Sequence, residues 1–316
     1  MVAEEAIEST MTNNTSAHDK VVINQWPKVD DSREHRIVGA IKDQLLCTDW
    51  ARDVFKQTAN AQLKHLKISL QHLDTPQFIH DYTQEVLSEL AGLTNSKIIT
   101  GQEYLDTLPK GQPVLLLTNH LGSYKINSSP IEELRKTTGL TGPVQPIFYP
   151  FPLYYSAMYP IAKALGDNLY IASFEYPGRL GEVLRAAGSI EVPPKDDLPK
   201  GKNRTEILID STRKLIEAHP NAVITSFPEG GTTGKRNGGG PYDLGEFHTG
   251  SYVIAKDLGL TILPAAQYFN PDSGFEVGVF KPIHPVKNTS NEQLAKMADA
   301  TQSKIQAWLN QRKISS

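Results

Sequence analysis

Short runs in which every residue is apolar punctuate the middle of this chain, and they limit its fold more than any other feature. Pro113-Val-Leu-Leu-Leu117 follows the turn Pro109-Lys-Gly111 and carries no polar alternation. A strand of that kind is buried on both faces, which is the pattern of a parallel sheet covered by helices. Further strands are expected at 144–149, 169–172, 189–192, 222–226, 261–263 and 275–280. Amphipathic stretches lie between them. Residues 203–218 read as a helix closed by His219-Pro220, because proline cannot continue one. Residues 250–258 read as another. The last helix is predicted from a capping box, Thr289 with Glu292, followed by Leu294, Met297, Ile305 and Leu309. The alternation predicts an α/β domain over 95–316, with a mixed, mostly parallel sheet covered by helices.

The segment before it has a different period. Ile37, Ile41 and Leu45 fall four apart, with Val38 and Leu46 beside them. Leu63, Leu66 and Leu70 make a second helical set, and Phe78, Tyr82, Val86 and Leu90 a third. Residues 34–94 are therefore expected to form a helical N-terminal subdomain. Residues 1–33 are polar and aperiodic, and are expected to be a disordered or loosely docked arm.

Charge and cysteine content narrow the function classes. There are 32 Lys and Arg against 35 Asp and Glu in 316 residues, a net charge of −3. That speaks against nucleic acid as the main partner, since such affinity rests on a basic footprint. The single cysteine, Cys47, excludes an internal disulfide and a Cys-rich metal site. No apolar stretch nears the ~18 residues of a membrane helix, and MVAEEAIESTMTNN lacks the basic and apolar regions of a secretory signal. A cytoplasmic protein is expected, with peripheral membrane contact left open.

Two segments have the residue types and positions that chemistry needs. Thr118-Asn-His-Leu-Gly-Ser-Tyr-Lys125 directly follows the 114–117 strand. Ligand sites in open α/β sheets gather at the carboxyl ends of strands. His120 is placed there either to act as a general base, or simply to cap the helix that follows or satisfy a backbone carbonyl. Ser226-Phe-Pro-Glu-Gly-Gly-Thr-Thr-Gly234 directly follows the 222–226 strand. It places Glu229 in a glycine-rich turn where Gly230 and Gly231 allow backbone close to a ligand, and it reads equally as a long flexible connection. Gly230-Gly-Thr-Thr-Gly-Lys235 is no phosphate loop, because its glycine spacing is one residue short and Arg236 stands where Ser or Thr belongs. There is no G-x-S-x-G elbow, no zinc-type histidine spacing and no paired-glycine dinucleotide fingerprint.

Taken in order, Asn119-His120 after one strand, then Phe227-Pro-Glu-Gly230 after another, then Phe247-x-x-Gly250 opening a helix and Ile262-Leu-Pro264 ending a strand resemble the glycerolipid acyltransferases. This is the glycerol-3-phosphate and lysophosphatidate acyltransferase family, and the resemblance covers roughly residues 95–285. It implies a fatty acyl group moved from acyl-CoA or acyl-carrier protein to an alcohol or amine. His120 would be the general base and Glu229 the residue that organises the site and helps bind the acceptor. Backbone N–H groups near Gly122 or Gly230–Gly231 are candidates for holding the oxyanion. No metal or tightly bound cofactor is implied. The helical segment resembles, in size and position, that of the soluble plastid-type members, and plastid stroma is a second expected location if the source is a plant or alga.

Three positions depart from the family. Lys125 stands where an aspartate would accept the imidazole N–H, and an ammonium has no acceptor to offer. Glu229 itself, the Tyr124 hydroxyl or a backbone carbonyl is then left to orient His120. Thr232 stands where an arginine is expected. A second arginine is missing after Gly188-Ser-Ile-Glu-Val192. Without either fork, glycerol 3-phosphate is a poorer acceptor than a non-phosphorylated alcohol or amine, unless Lys195, Lys202 or Arg204 grips the phosphate. Lys235 and Arg236 are further candidates, and Asn119, Gly230, Gly231 and Thr232 complete the expected binding set. Two other outcomes follow from the same departures: a catalytically silent lipid-binding relative, or a thioester hydrolase. The aromatic stretch 148–159 is expected either to pack as a core helix, to line an acyl channel or to dip into a membrane surface.

Overall fold

Among the described residues of the computed structural model, seven strands lie side by side in the order Lys97–Thr100, Gly274–Val279, Thr261–Asn270, Val114–Leu117, Val223–Ser226, Leu169–Phe174 and Ser189–Val192. The structure describes residues 49–121, 151–166, 168–174, 178–192, 203–231, 233–234 and 242–315, with 198, 201 and 240. These residues all fall in one compact unit. The elements in chain order are α1 (Asp49–Gln71), α2 (Pro76–Leu93), β1 (Lys97–Thr100), α3 (Gln102–Asp106), β2 (Val114–Leu117), α4 (Phe151–Leu165), β3 (Leu169–Phe174), α5 (Gly178–Ala186), β4 (Ser189–Val192), α6 (Arg204–Ala218), β5 (Val223–Ser226), α7 (Gly250–Leu258), β6 (Thr261–Asn270), β7 (Gly274–Val279) and α8 (Asn291–Ser315). Every neighbouring pair is parallel except β6–β7, a hairpin. The chain is thus an α/β protein with a mixed, mostly parallel sheet, as the apolar runs require.

All four residues of β2 are buried, as a central strand with helices on both sides demands. Its register decides the site: Leu117 pairs with Ser226 of β5 on one side and with Pro264 of β6 on the other. Residues 118–120 and 227–229 therefore leave the same edge of the sheet side by side.

Several details differ from the sequence reading. β6 does not stop at Leu263 but runs ten residues to Asn270. Pro264 has no N–H to give, yet it sits where β2 runs out, and its carbonyl accepts from Phe280 N at 2.9 Å. The last helix starts one residue later than predicted. Ser290 Oγ accepts from Gln293 N at 3.2 Å while Gln293 Oε1 accepts from Ser290 N at 2.8 Å, so the capping box is Ser290–Gln293. Thr289 instead accepts from Val286 N. In α2 the buried stripe is Ile79, Thr83, Val86, Leu87 and Leu90, while Phe78 and Tyr82 are half-buried and stack on each other. The expected strand at 144–149 and the helix from Ile37 lie outside the described residues.

The helices are stitched to the sheet by side chains that imitate backbone. Gln84 of α2 donates to Leu169 O at 3.0 Å and accepts from Leu169 N at 3.1 Å, which extends the ladder of β3. α4, the predicted aromatic segment, packs against β1, β3 and β7. Its Tyr155, Ala157, Met158, Ile161 and Ala162 are buried, so these residues pack in the core. Among the described residues no helix is long and apolar enough to cross a membrane.

Candidate active site

His120 stands three residues past β2 and is half-buried. Its Nδ1 lies 2.7 Å from the Leu121 carbonyl oxygen. A carbonyl only accepts, so the proton sits on Nδ1, and the neutral ring carries its lone pair on Nε2. The Leu121 carbonyl thereby holds the Nδ1 side of the ring. Burial holds the imidazole below the ordinary histidine range, opposed by that same hydrogen bond. The ring leans on Phe227 at 4.3 Å between centroids, and Phe227 in turn meets Tyr155 of α4 at 5.6 Å.

Glu229 lies in the turn that ends β5. Gly230 N donates to Phe227 O at 3.0 Å, closing the turn, and Gly230 has φ +63°, a conformation that suits glycine. The Glu229 carboxylate is only 3% exposed. A buried carboxylate must be compensated, and both oxygens are. Oε1 accepts from Thr233 Oγ1 at 2.5 Å and Oε2 accepts from Gly245 N at 2.8 Å.

Thr233 joins the two motifs. Its hydroxyl accepts from His120 N at 3.0 Å, and its own N–H donates to His120 O at 2.8 Å. A continuous path therefore runs from the His120 peptide through the Thr233 hydroxyl to the Glu229 carboxylate. His120 and Thr233 are 113 apart in sequence and meet because β2 and β5 are neighbours in register.

The loop that supplies Gly245 is held by α8. Gln306 accepts from Leu244 N at 2.7 Å and donates to Tyr242 O at 3.0 Å. Lys313 binds Asp243, and that contact, with the Gly240 N–H, holds the Asp243 carboxyl below its ordinary range. His248 N donates to Pro228 O at 2.8 Å, tying the Phe247–Gly250 segment to the Glu229 turn.

Asn119 is fully buried and its amide meets the backbone of β6. It donates to Gln267 O at 3.0 Å and accepts from Gln267 N at 2.8 Å, so it prolongs the β2–β6 pairing and sets the exit of the chain toward His120. Gly231 follows Gly230 in the same turn, and Arg204 opens α6. Gly122, Tyr124, Lys125, Lys195, Lys202, Thr232, Lys235 and Arg236 lie outside the described residues. Among the described residues no group of three or more His, Cys, Asp or Glu is placed to hold a metal ion. Of the acceptors left open for His120 the structure shows a backbone carbonyl, that of Leu121. Two contributors escaped the sequence reading: the Gly245 N–H is a backbone group without a sequence signature, and Thr233 is one of several hydroxyls in its loop.

No family model matches this sequence, and no curated protein matches it. Among solved structures it is similar to a 1-acyl-sn-glycerophosphate (LPA) acyltransferase, PlsC, from Thermotoga maritima. The TM-score is 0.48 and the identity 12%, over 89% of this chain and 98% of that one.

Proposed function

We propose that this chain is an acyltransferase that moves a fatty acyl group from acyl-CoA or acyl-carrier protein to an alcohol or amine. The observation that carries the reading is the imidazole at the carboxyl edge of β2, its tautomer held by the Leu121 carbonyl and its backbone linked to a buried glutamate. A neutral imidazole with its Nε2 lone pair in the basic form is the state a general base needs. In this reading Nε2 takes the proton of the acceptor hydroxyl or amine as that atom attacks the thioester carbonyl. The tetrahedral adduct collapses, the C–S bond breaks, and the imidazolium returns its proton to the departing sulfur. The products are an ester or amide and a free thiol. Glu229 keeps the turn beside His120 in shape, and Asn119 fixes the direction in which the chain leaves β2.

The helical segment 34–94 is proposed as an N-terminal subdomain and 95–316 as the catalytic domain, with residues 1–33 as an arm. Lys195, Lys200, Lys202 and Arg204 are proposed to meet the phosphates of the donor or an acidic carrier protein, and Lys235 and Arg236 the acceptor. The missing arginines favour a non-phosphorylated acceptor over glycerol 3-phosphate. A cytoplasmic or plastid setting with peripheral membrane contact fits such a reaction.

The test is thiol release from acyl-CoA and acyl-carrier protein with a panel of alcohols, amines and glycerol 3-phosphate. Release that requires an acceptor and is lost in His120→Ala supports the reading. Release without any acceptor replaces it by hydrolysis, and acyl binding without turnover replaces it by a lipid carrier.

A further inference from the structure

The hydroxyl of Thr233 is fully buried and uses its two functions in opposite directions. It accepts from the His120 peptide N–H and donates to the Glu229 carboxylate, while the Thr233 N–H returns a bond to the His120 carbonyl. His120 is thus gripped at both ends of its backbone by one residue. Its ring can then meet the Leu121 carbonyl only if the main chain at 120–121 keeps its direction. The donor to Glu229 is also the acceptor for His120, so any movement of the turn at 227–230 is passed to the chain leaving β2.

We infer that Thr233 is the positioning residue that sets His120 relative to Glu229 and keeps the imidazole in a single tautomer, an inference that rests on the acyl-transfer reading for its catalytic meaning. A carboxylate accepting from a hydroxyl makes a strong, charge-assisted bond, so the Thr233 rotamer is fixed by Glu229 and presents its lone pair to one target. A methyl group in that place leaves a buried carboxylate oxygen and a backbone N–H without this partner. The chain then relaxes to satisfy them. A backbone carbonyl can orient a catalytic histidine only while the backbone itself is held still, and the orienting acceptor here is a carbonyl rather than a side chain. Thr233 supplies that rigidity, with Gln306 of α8 steadying the opposite side of Glu229 through the 242–245 loop.

The experiment uses the full chain with ¹⁵N-labelled histidine, comparing wild type, Thr233→Val and Thr233→Ser. The His120 ring resonances are assigned by their absence in His120→Ala, and thiol release is followed in parallel. Wild type and Thr233→Ser are expected to show one neutral tautomer protonated at Nδ1, with similar rates. Thr233→Val is expected to show mixed tautomers and a kcat lower by about tenfold or more, with KM little changed. If Thr233→Val does not fold, Thr233→Ala removes the hydroxyl in its place. An unchanged tautomer and unchanged kcat in the hydroxyl-free variant overturn the inference. Equal loss in Thr233→Ser also overturns it, because the methyl contact would then be what matters. If wild type releases no thiol with any acceptor, the acyl-transfer reading falls, while the tautomer comparison still decides whether Thr233 holds His120.

Discussion

Two histidines, His65 and His120, show how the same lowering of basicity arises in two different settings. His65 lies between α1 and α2, is 1% exposed, and contacts Thr83 Oγ1 at 2.9 Å and Ser69 Oγ at 3.4 Å through Nε2. The Thr83 hydroxyl is already donated to Ile79 O at 2.7 Å, so it accepts from His65, whose proton is on Nε2. His120 lies at the carboxyl edge of the sheet, half-buried, with its proton on the other nitrogen. Burial lowers the basicity of both, to about 4 for His65. What separates them is the neighbourhood. His65 is enclosed by the hydroxyls of two helices, which makes it a packing element. His120 stands where strand ends meet, its peptide joined through Thr233 to a compensated carboxylate.

Exchanging each histidine in turn breaks the comparison most directly. His120→Ala is expected to lower acceptor-dependent thiol release by about 10²–10⁴-fold, with the thermal midpoint little moved. His65→Ala is expected to do the reverse, costing about 1–3 kcal/mol in denaturant unfolding while the rate per folded molecule stays the same.

Acid sharpens the same contrast. His65 is neutral in the folded protein and titrates near 4, against 6.5 for an unperturbed histidine. Below the unfolded value the unfolded chain binds the extra proton, so stability is full above pH 6.5 and declines as pH falls toward 4. The loss should reach about 3 kcal/mol across that window, measured as denaturant midpoints at successive pH values, and His65→Leu should remove most of that slope. For His120 the same direction of shift places the acid limb of kcat/KM below the ordinary histidine range. A limb at or above 6.5 would contradict a base desolvated as this one is.

Glu229→Ala should lower kcat by about tenfold or more and cost about 1–3 kcal/mol, because the Gly245 N–H and the Thr233 hydroxyl lose their acceptor. Lys125→Ala is the smallest change expected. The Leu121 carbonyl already orients the ring, so the rate should stay close to wild type. A large loss would give Lys125 a role of its own.

Much of the sheet was legible along the chain. The run at β2 is apolar without alternation because both faces are covered, and that pattern survives any register. β1, Lys97–Thr100, was not legible, since its residues are only half-buried or exposed and form a short edge. The length of β6 was hidden by Pro264, whose missing N–H is harmless only because β2 ends opposite it. The capping box was misplaced by one residue because Thr289-x-x-Glu292 and Ser290-x-x-Gln293 are equally good locally, and packing of the preceding loop chose between them.

From the order of residues alone came the strand-rich α/β class, the two loops that follow β2 and β5, and His120 and Glu229 as the groups worth naming. Those depend on local pattern: apolar runs, a histidine or a glutamate directly after a strand, and glycine where the turn needs a positive φ. The folded chain alone decided what holds them. A backbone carbonyl fixes the ring, one threonine among several links His120 to Glu229, and a distant helix steadies the loop that supplies Gly245. Hydrogen bonds between strand ends depend on which strands are neighbours and in which register, and that is a property of the whole sheet rather than of any segment in it.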